Sequence, residues 1–132
     1  MVDFGFSSAA RLKKGWQFDF VFRTGRRDSG ALVRLLYVTK ADGPAQAGVA
    51  VGKKIACGAQ RVRGRRVLRE AARRLLPWVR DGVWFVASLR ENGLDANARD
   101  VYYDLAACMK RRGLLSKDWP GADWSVDSKR GS

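Results

Sequence analysis

The apolar positions of this chain fall into a two-residue period, a helical period and one continuous run, and each predicts an element. From Ala31 to Thr39, Val33, Leu35 and Tyr37 take one side of a strand and Leu32, Leu36 and Val38 the other, with Arg34 interrupting that second face. The run ADGPAQ is a turn cluster, and Gly48 to Ile55 reads as a second strand. Residues 32–55 are therefore expected to fold as an antiparallel hairpin. Leu68, Ala71, Ala72, Leu75 and Leu76 recur at three- and four-residue steps, which predicts an amphipathic helix from Ala59 to Leu76. It would be about 27 Å long at ~1.5 Å per residue. Pro77 ends it, because proline disfavours helical geometry at Leu76. The run GVWFVASL, between Asp81-Gly82 and Asn92-Gly93, is continuously apolar and predicts a central strand buried on both faces. Asn97 with Asp100 three residues on resembles a helix N-cap. Val101, Leu105, Cys108 and Met109 supply the stripe of that last helix, and Gly113 stops it.

The segment RLKKGWQFDFVFRTG supports two readings, of which periodicity alone favours the strand. Trp16, Phe18, Phe20 and Phe22 alternate as in a strand, while Phe18, Val21, Phe22 and Gly25 fit a helix. As a helix it would carry Phe18 and Phe22 on one face and Trp16 and Phe20 on nearly the opposite one, so both would need cover. Arg23, Arg26 and Arg27 follow, and Gly25 and Gly30 mark a turn. Residues 1–10 are expected to be a loosely held arm, 11–116 a single α+β domain, and 117–132 an irregular tail despite Trp119 and Trp124. With a short helix in front, the order strand pair, helix, strand, helix predicts a small sheet of three to four strands with helices on one face and the other face available.

Charge narrows the function. The net charge is +13, and seven arginines lie between Arg61 and Arg74, with Glu70 the only acid from Lys53 to Arg80. A solvated helix face normally mixes signs, so this density points to a polyanion, and nucleic acid is the first partner to consider. No apolar run approaches the roughly 20 residues that span a bilayer, the amino terminus lacks a secretory h-region, and Cys57 and Cys108 look unpaired, which together point to the cytoplasm. Histidine is absent, which removes the commonest general base and metal ligand. Asp100 and Asp104 sit one helical turn apart near a helix start and read as dipole partners, not as an acid/base pair.

Lys53-Lys54, then Arg61, Arg63, Arg65, Arg66, Val67, Leu68, Arg69 and Glu70, together with Arg11-Leu12-Lys13-Lys14 ahead of Phe18, Val21, Phe22 and Gly25, resemble the signature of the protein subunit of bacterial ribonuclease P. The resemblance spans residues 11–115 and favours the helical reading of the aromatic segment. It implies an αββ(β)αβα order with a left-handed βαβ crossover, the ribosomal-protein-S5-domain-2-like fold, an exception to the right-handed rule. It further implies a protein that assists 5′ maturation of precursor tRNA, with the chemistry and its Mg2+ ions held mainly by a partner catalytic RNA, and no small-molecule cofactor. Lys53, Lys54, Arg61, Arg63, Arg65, Arg66, Arg69 and Arg73 would bind RNA. Phe18, Phe22 and Tyr37, with Arg11 and Lys14, would form a cleft for the single-stranded 5′ leader. The alternative is a non-catalytic RNA-binding module of related fold. The chain departs from the family pattern at three places, the first of them a pair of residues. Ala56-Cys57 replaces Gly-Asn, and Val62 stands where the family has an asparagine, whose hydrogen bonds valine cannot make. Gly64 costs about 1 kcal/mol in a helix interior, and implies either a strained helix or close approach of an RNA backbone.

Overall fold

The computed structural model describes residues 11–12, 14–52 and 57–127. The chain runs α1 (Gly15–Thr24), β1 (Arg26–Ser29), β2 (Val33–Val38), β3 (Gln46–Ala50), α2 (Gly58–Leu75), β4 (Trp84–Leu89), α3 (Ala98–Arg111) and a short α4 (Trp124–Asp127). The strands form one mixed sheet in the order β1-β2-β4-β3. The expected α+β class, the helix at 15–24 and the central strand are all present. Residues 1–10, Lys13 and the Lys53-Lys54 pair lie outside the described residues.

The expected hairpin is not formed. β4 lies between β2 and β3, antiparallel to the first and parallel to the second, so that Phe85 pairs with both Tyr37 and Ala47. The connection at 39–45 reverses the chain but crosses the start of β4, so that β2 and β3 run antiparallel without being neighbours: Ala41 N–H donates to Gly82 O and Gly82 N–H to Gly43 O, each at 2.9 Å. A strand apolar on both faces loses most water when it is paired on both edges, and this outcome overrides the local turn signal. β1 occupies the place expected for a turn. Its sequence RRDS is an exposed, polar edge strand with no apolar alternation to reveal it.

Alternate residues of β4 face opposite sides. Phe85, Ala87 and Leu89, with Val33, Leu35 and Tyr37 of β2, pack under α2 and α3 in the main core. Trp84 and Val86, with Leu36 and Val38, meet Leu12, Phe18 and Val21 on the other side. Helices α2 and α3 thus share one face as expected, while α1 covers part of the face that the sequence pattern leaves open. α1 buries Val21 completely and spends little else.

Gly64 faces inward, against the expectation of strain or RNA contact. A Cβ there would lie 2.9 Å from Val51 Cγ2 and 3.1 Å from Leu89 Cδ1, so the missing side chain lets α2 approach the sheet. On α3, Asn97 Oδ1 accepts from Asp100 N–H at 2.8 Å, and Gly113 adopts φ 71° at the stop. Asp104 accepts from the N–H groups of Ala31, Leu32 and Val33 at 3.1, 2.8 and 2.9 Å, clasping the β1–β2 connection onto α3. Residues 117–127 differ from an irregular tail. Trp119 and Trp124 pack on the main core, and Tyr102 Oη accepts from Asp123 N–H at 3.0 Å.

Replacing Asp104 with alanine leaves three backbone donors without their acceptor. Urea unfolding of Asp104→Ala should show a loss of about 1–3 kcal/mol. An unchanged midpoint would mean that the clasp contributes nothing.

Candidate nucleic-acid interface

Because α2 spends one side on the core through Gly64, Leu68, Ala71, Ala72 and Leu75, its opposite side carries the stripe Val62, Arg65, Arg66, Arg69 and Arg73 at helical spacing. Arg66 and Arg69 are exposed and Arg65 is half-buried; none of the three is paired among the described residues. These are the cations free to meet phosphate. The other predicted arginines are engaged differently. The guanidinium of Arg63 donates to Leu94 O at 2.7 Å and Ala96 O at 2.8 Å, tying α2 to the segment that leads into α3. Arg61 is half-buried, and its buried Nε has no hydrogen-bond partner. Arg73 Nε donates to Glu70 Oε1 at 3.2 Å.

Arg74 is a structural cation, 7% exposed. Its Nε donates to Glu70 Oε2 at 2.8 Å, its Nη1 donates to Trp124 O, and its Cζ sits 3.4 Å from the centroid of the Trp124 ring. Glu70, the lone acid of the helix, is thus clamped between Arg73 and Arg74. Burial pushes its carboxyl up, but the hydrogen bonds from the two guanidinium groups outweigh this and hold it below the ordinary carboxylate range. Asp28 of β1 is also held low, first by the hydrogen bond from Arg112 and further by Arg111, whose Nη2 lies 2.8 Å away. Cys108 beneath this group has its thiol pushed up by burial and by the charges of Asp28 and Asp104.

On the far side of the sheet, Phe18 and Phe22 lie one turn apart on a flank of α1. Phe18 rests across Gly48 of β3, where a Cβ would fall 2.6 Å from its ring, while Phe22 is 43% exposed. The predicted third aromatic is misassigned. Tyr37 is 4% exposed within the main core, on the face that α2 and α3 cover, because it shares the parity of Val33 and Leu35. In its place the register lays out a polar floor: Ser29, Arg34, Ser88 and Ala50 form one row across all four strands, next to the row Arg27, Leu36, Val86 and Gly48. Arg27, Ser29 and Arg34 are exposed. The interruption of an apolar face by Arg34 was the sequence signal for this floor. Arg11 bridges to Ala47 at the outer edge of β3, and Lys14 is exposed at the N-cap of α1.

A small sheet with a cation-bearing helix on one side and an aromatic-edged, basic floor on the other defines a nucleic-acid-binding protein of α+β class. The chain matches the Ribonuclease P family model over residues 6–113 and belongs to that family. The ribonuclease P protein component of Symbiobacterium thermophilum is 34% identical over 112 residues, covering 83% of this chain and 96% of that protein. The component from Xanthomonas axonopodis pv. citri is 37% identical over 115 residues, covering 83% and 75%. Among solved structures, the ribonuclease P protein of Staphylococcus aureus superposes with TM-score 0.70 at 16% identity, covering 83% of this chain and all of that one. That of Thermotoga maritima gives 0.67 at 21% identity, covering 76% and 96%. At these identities the structures bear on the fold.

A carboxyl depressed in the folded state stabilises it above the unfolded pKa and loses that contribution as pH falls through the folded value. Stability should therefore decline on acidification below the ordinary carboxylate range. The decline should be shallower in Glu70→Gln, measured by urea midpoints across an acid series. Parallel profiles for the two proteins would remove Glu70 from the account.

Proposed function

We propose that this chain serves as the protein subunit of ribonuclease P, binding the catalytic RNA with the outward stripe of α2 and the 5′ leader of precursor tRNA in the groove between α1 and the open sheet floor. The observation that carries this reading is the unpaired state of Arg65, Arg66 and Arg69 on one outward stripe of a helix that pairs its only acid elsewhere. Unrelieved like charges at helical spacing repel, and neutralising RNA phosphates removes that repulsion while releasing counterions. Arg27 and Arg34 offer the second surface cations for a backbone, beside the exposed ring of Phe22. Base stacking there tolerates any sequence, which suits a leader that varies from one tRNA to the next.

The chemistry belongs to the RNA in this reading. Among the described residues no three His, Cys, Asp or Glu side chains gather to hold a metal ion, and the carboxylates of Asp28, Glu70 and Asp104 are committed to arginines or backbone donors. In this reading Mg2+ would be held mainly by the partner RNA, where it would activate water and stabilise the leaving oxygen. The protein contributes affinity and positioning. No helix of the described residues is long and apolar enough to cross a membrane.

Adding this protein to a bacterial catalytic RNA should raise precursor tRNA cleavage at low magnesium, and no improvement would defeat the reading. Its affinity for that RNA should fall with salt at a log–log slope of about −0.7 to −0.9 per phosphate neutralised. Arg66→Ala and Arg69→Ala should each flatten the slope by roughly one unit, and unchanged slopes would take α2 out of the interface. Phe22→Ala should weaken precursor tRNA by ~1–3 kcal/mol and leave mature tRNA nearly unaffected. An unchanged precursor-to-mature ratio would leave the groove without a leader.

A further inference from the structure

The other flank of α1 carries aromatics that the groove does not use. Trp16, Phe20 and Arg23 follow at steps of four and three residues and share one stripe, nearly opposite Phe22. Trp16 is 59% and Phe20 42% exposed, an unusual expense for a tryptophan in a chain of this size. Both rings are held in place from below by Trp84, at centroid distances of 5.7 and 6.0 Å with tilted and edge-on geometry. Trp84 is itself 9% exposed, and its buried indole Nε1 has no hydrogen-bond partner. Beside Phe20 opens a cavity of about 160 Å³ between the end of α1 and residues 37–41, lined by Arg26, Thr39 and Lys40 among others.

We propose that Trp16, Phe20 and this cavity form a second nucleotide site, separate from the leader groove, which stacks an unpaired RNA base on the exposed rings and sets its phosphate between Arg26 and Lys40. Rigidly backed aromatics next to cations are the combination that single-stranded nucleic acid selects, since every base has a face to stack and every linkage a charge to neutralise. A second copy of the chain fits less well. A two-fold contact through this patch would bring Arg23, Arg26 and Lys40 toward their own images. The site goes beyond the ribonuclease P reading, because it requires only RNA with an unpaired base and no catalytic partner.

The test uses the full chain and a labelled single-stranded oligoadenylate of about 12 nucleotides, within the length of one single-strand site. Trp16→Ala and Phe20→Ala should each lower its affinity roughly 5- to 150-fold, the range that stacking one base supplies. Because Trp16 is mostly exposed, its replacement should leave the thermal midpoint in place, and Trp16→Phe should retain most of the affinity. The loss should recur in a Phe22→Ala background, since separate sites multiply. Phe22→Ala and Arg66→Ala alone report on the groove and on α2, so failure there is read independently. The proposal is overturned if the wild-type chain does not bind the oligonucleotide or if Trp16→Ala binds as the wild type does. It is also overturned if the Trp16→Ala loss disappears in the Phe22→Ala background. Unchanged affinity in Trp16→Ala, accompanied by faster proteolysis of residues 1–10 or by conversion of a dimer to monomer, would assign the patch to the chain's own arm or to a second copy.

Discussion

Everything in this molecule hangs on β4, a strand that must be dry on both faces. Val86 and Trp84 point one way and Phe85, Ala87 and Leu89 the other, all nearly inaccessible. A strand with that pattern is stable only in the middle of a sheet with cover on each side. β2 takes one edge and β3 the other. Because β3 lies parallel to β4, the chain between them must cross over, and the connection it uses is α2. The basic helix is therefore fixed along its length to the sheet, with Gly64 permitting the close approach and the far side left to solvent.

That arrangement explains how so many arginines coexist in a folded helix. Several are held within the protein: Arg63 donates to two carbonyls, Arg73 and Arg74 share Glu70, and Arg74 also lies over the face of Trp124. Arg65, Arg66 and Arg69 have no such partner among the described residues. The same division holds on the other face, where α1 is too short to cover the sheet. Trp84, Val86, Leu36 and Val38 are covered, and Ser29 and Arg34 of the outer row are not. The surfaces proposed to bind RNA are what the core leaves over.

Helix boundaries, the N-cap at Asn97, the stop at Gly113 and the central strand were legible because each is written in local periodicity or in a residue with one conformational use. Strand neighbours were not. The choice between a hairpin at 32–55 and an intervening β4 is made by burial of a segment more than thirty residues away, which no local pattern in ADGPAQ reports. The same limit hid the role of Trp124, whose partner Arg74 lies fifty positions earlier. Tyr37 shares the parity of Val33 and Leu35 and lies in the main core, while α1 covers the opposite face of the sheet, which its own segment does not report. Arg34 stood out correctly as an interruption, and its face settles it into the open floor.

The central claim is that two separate faces of the sheet meet two different RNAs. Directed hydroxyl-radical cleavage from an iron chelate tests it most directly. The chelate is attached at Val62→Cys on α2 or at Ser29→Cys on the floor, with exposed Cys57 changed to serine and buried Cys108 retained. In the complex with catalytic RNA and precursor tRNA, the reagent at position 62 should cut the catalytic RNA, and that at position 29 should cut the 5′ leader. Cleavage of the leader from position 62, or of one and the same strand from both positions, would contradict the account.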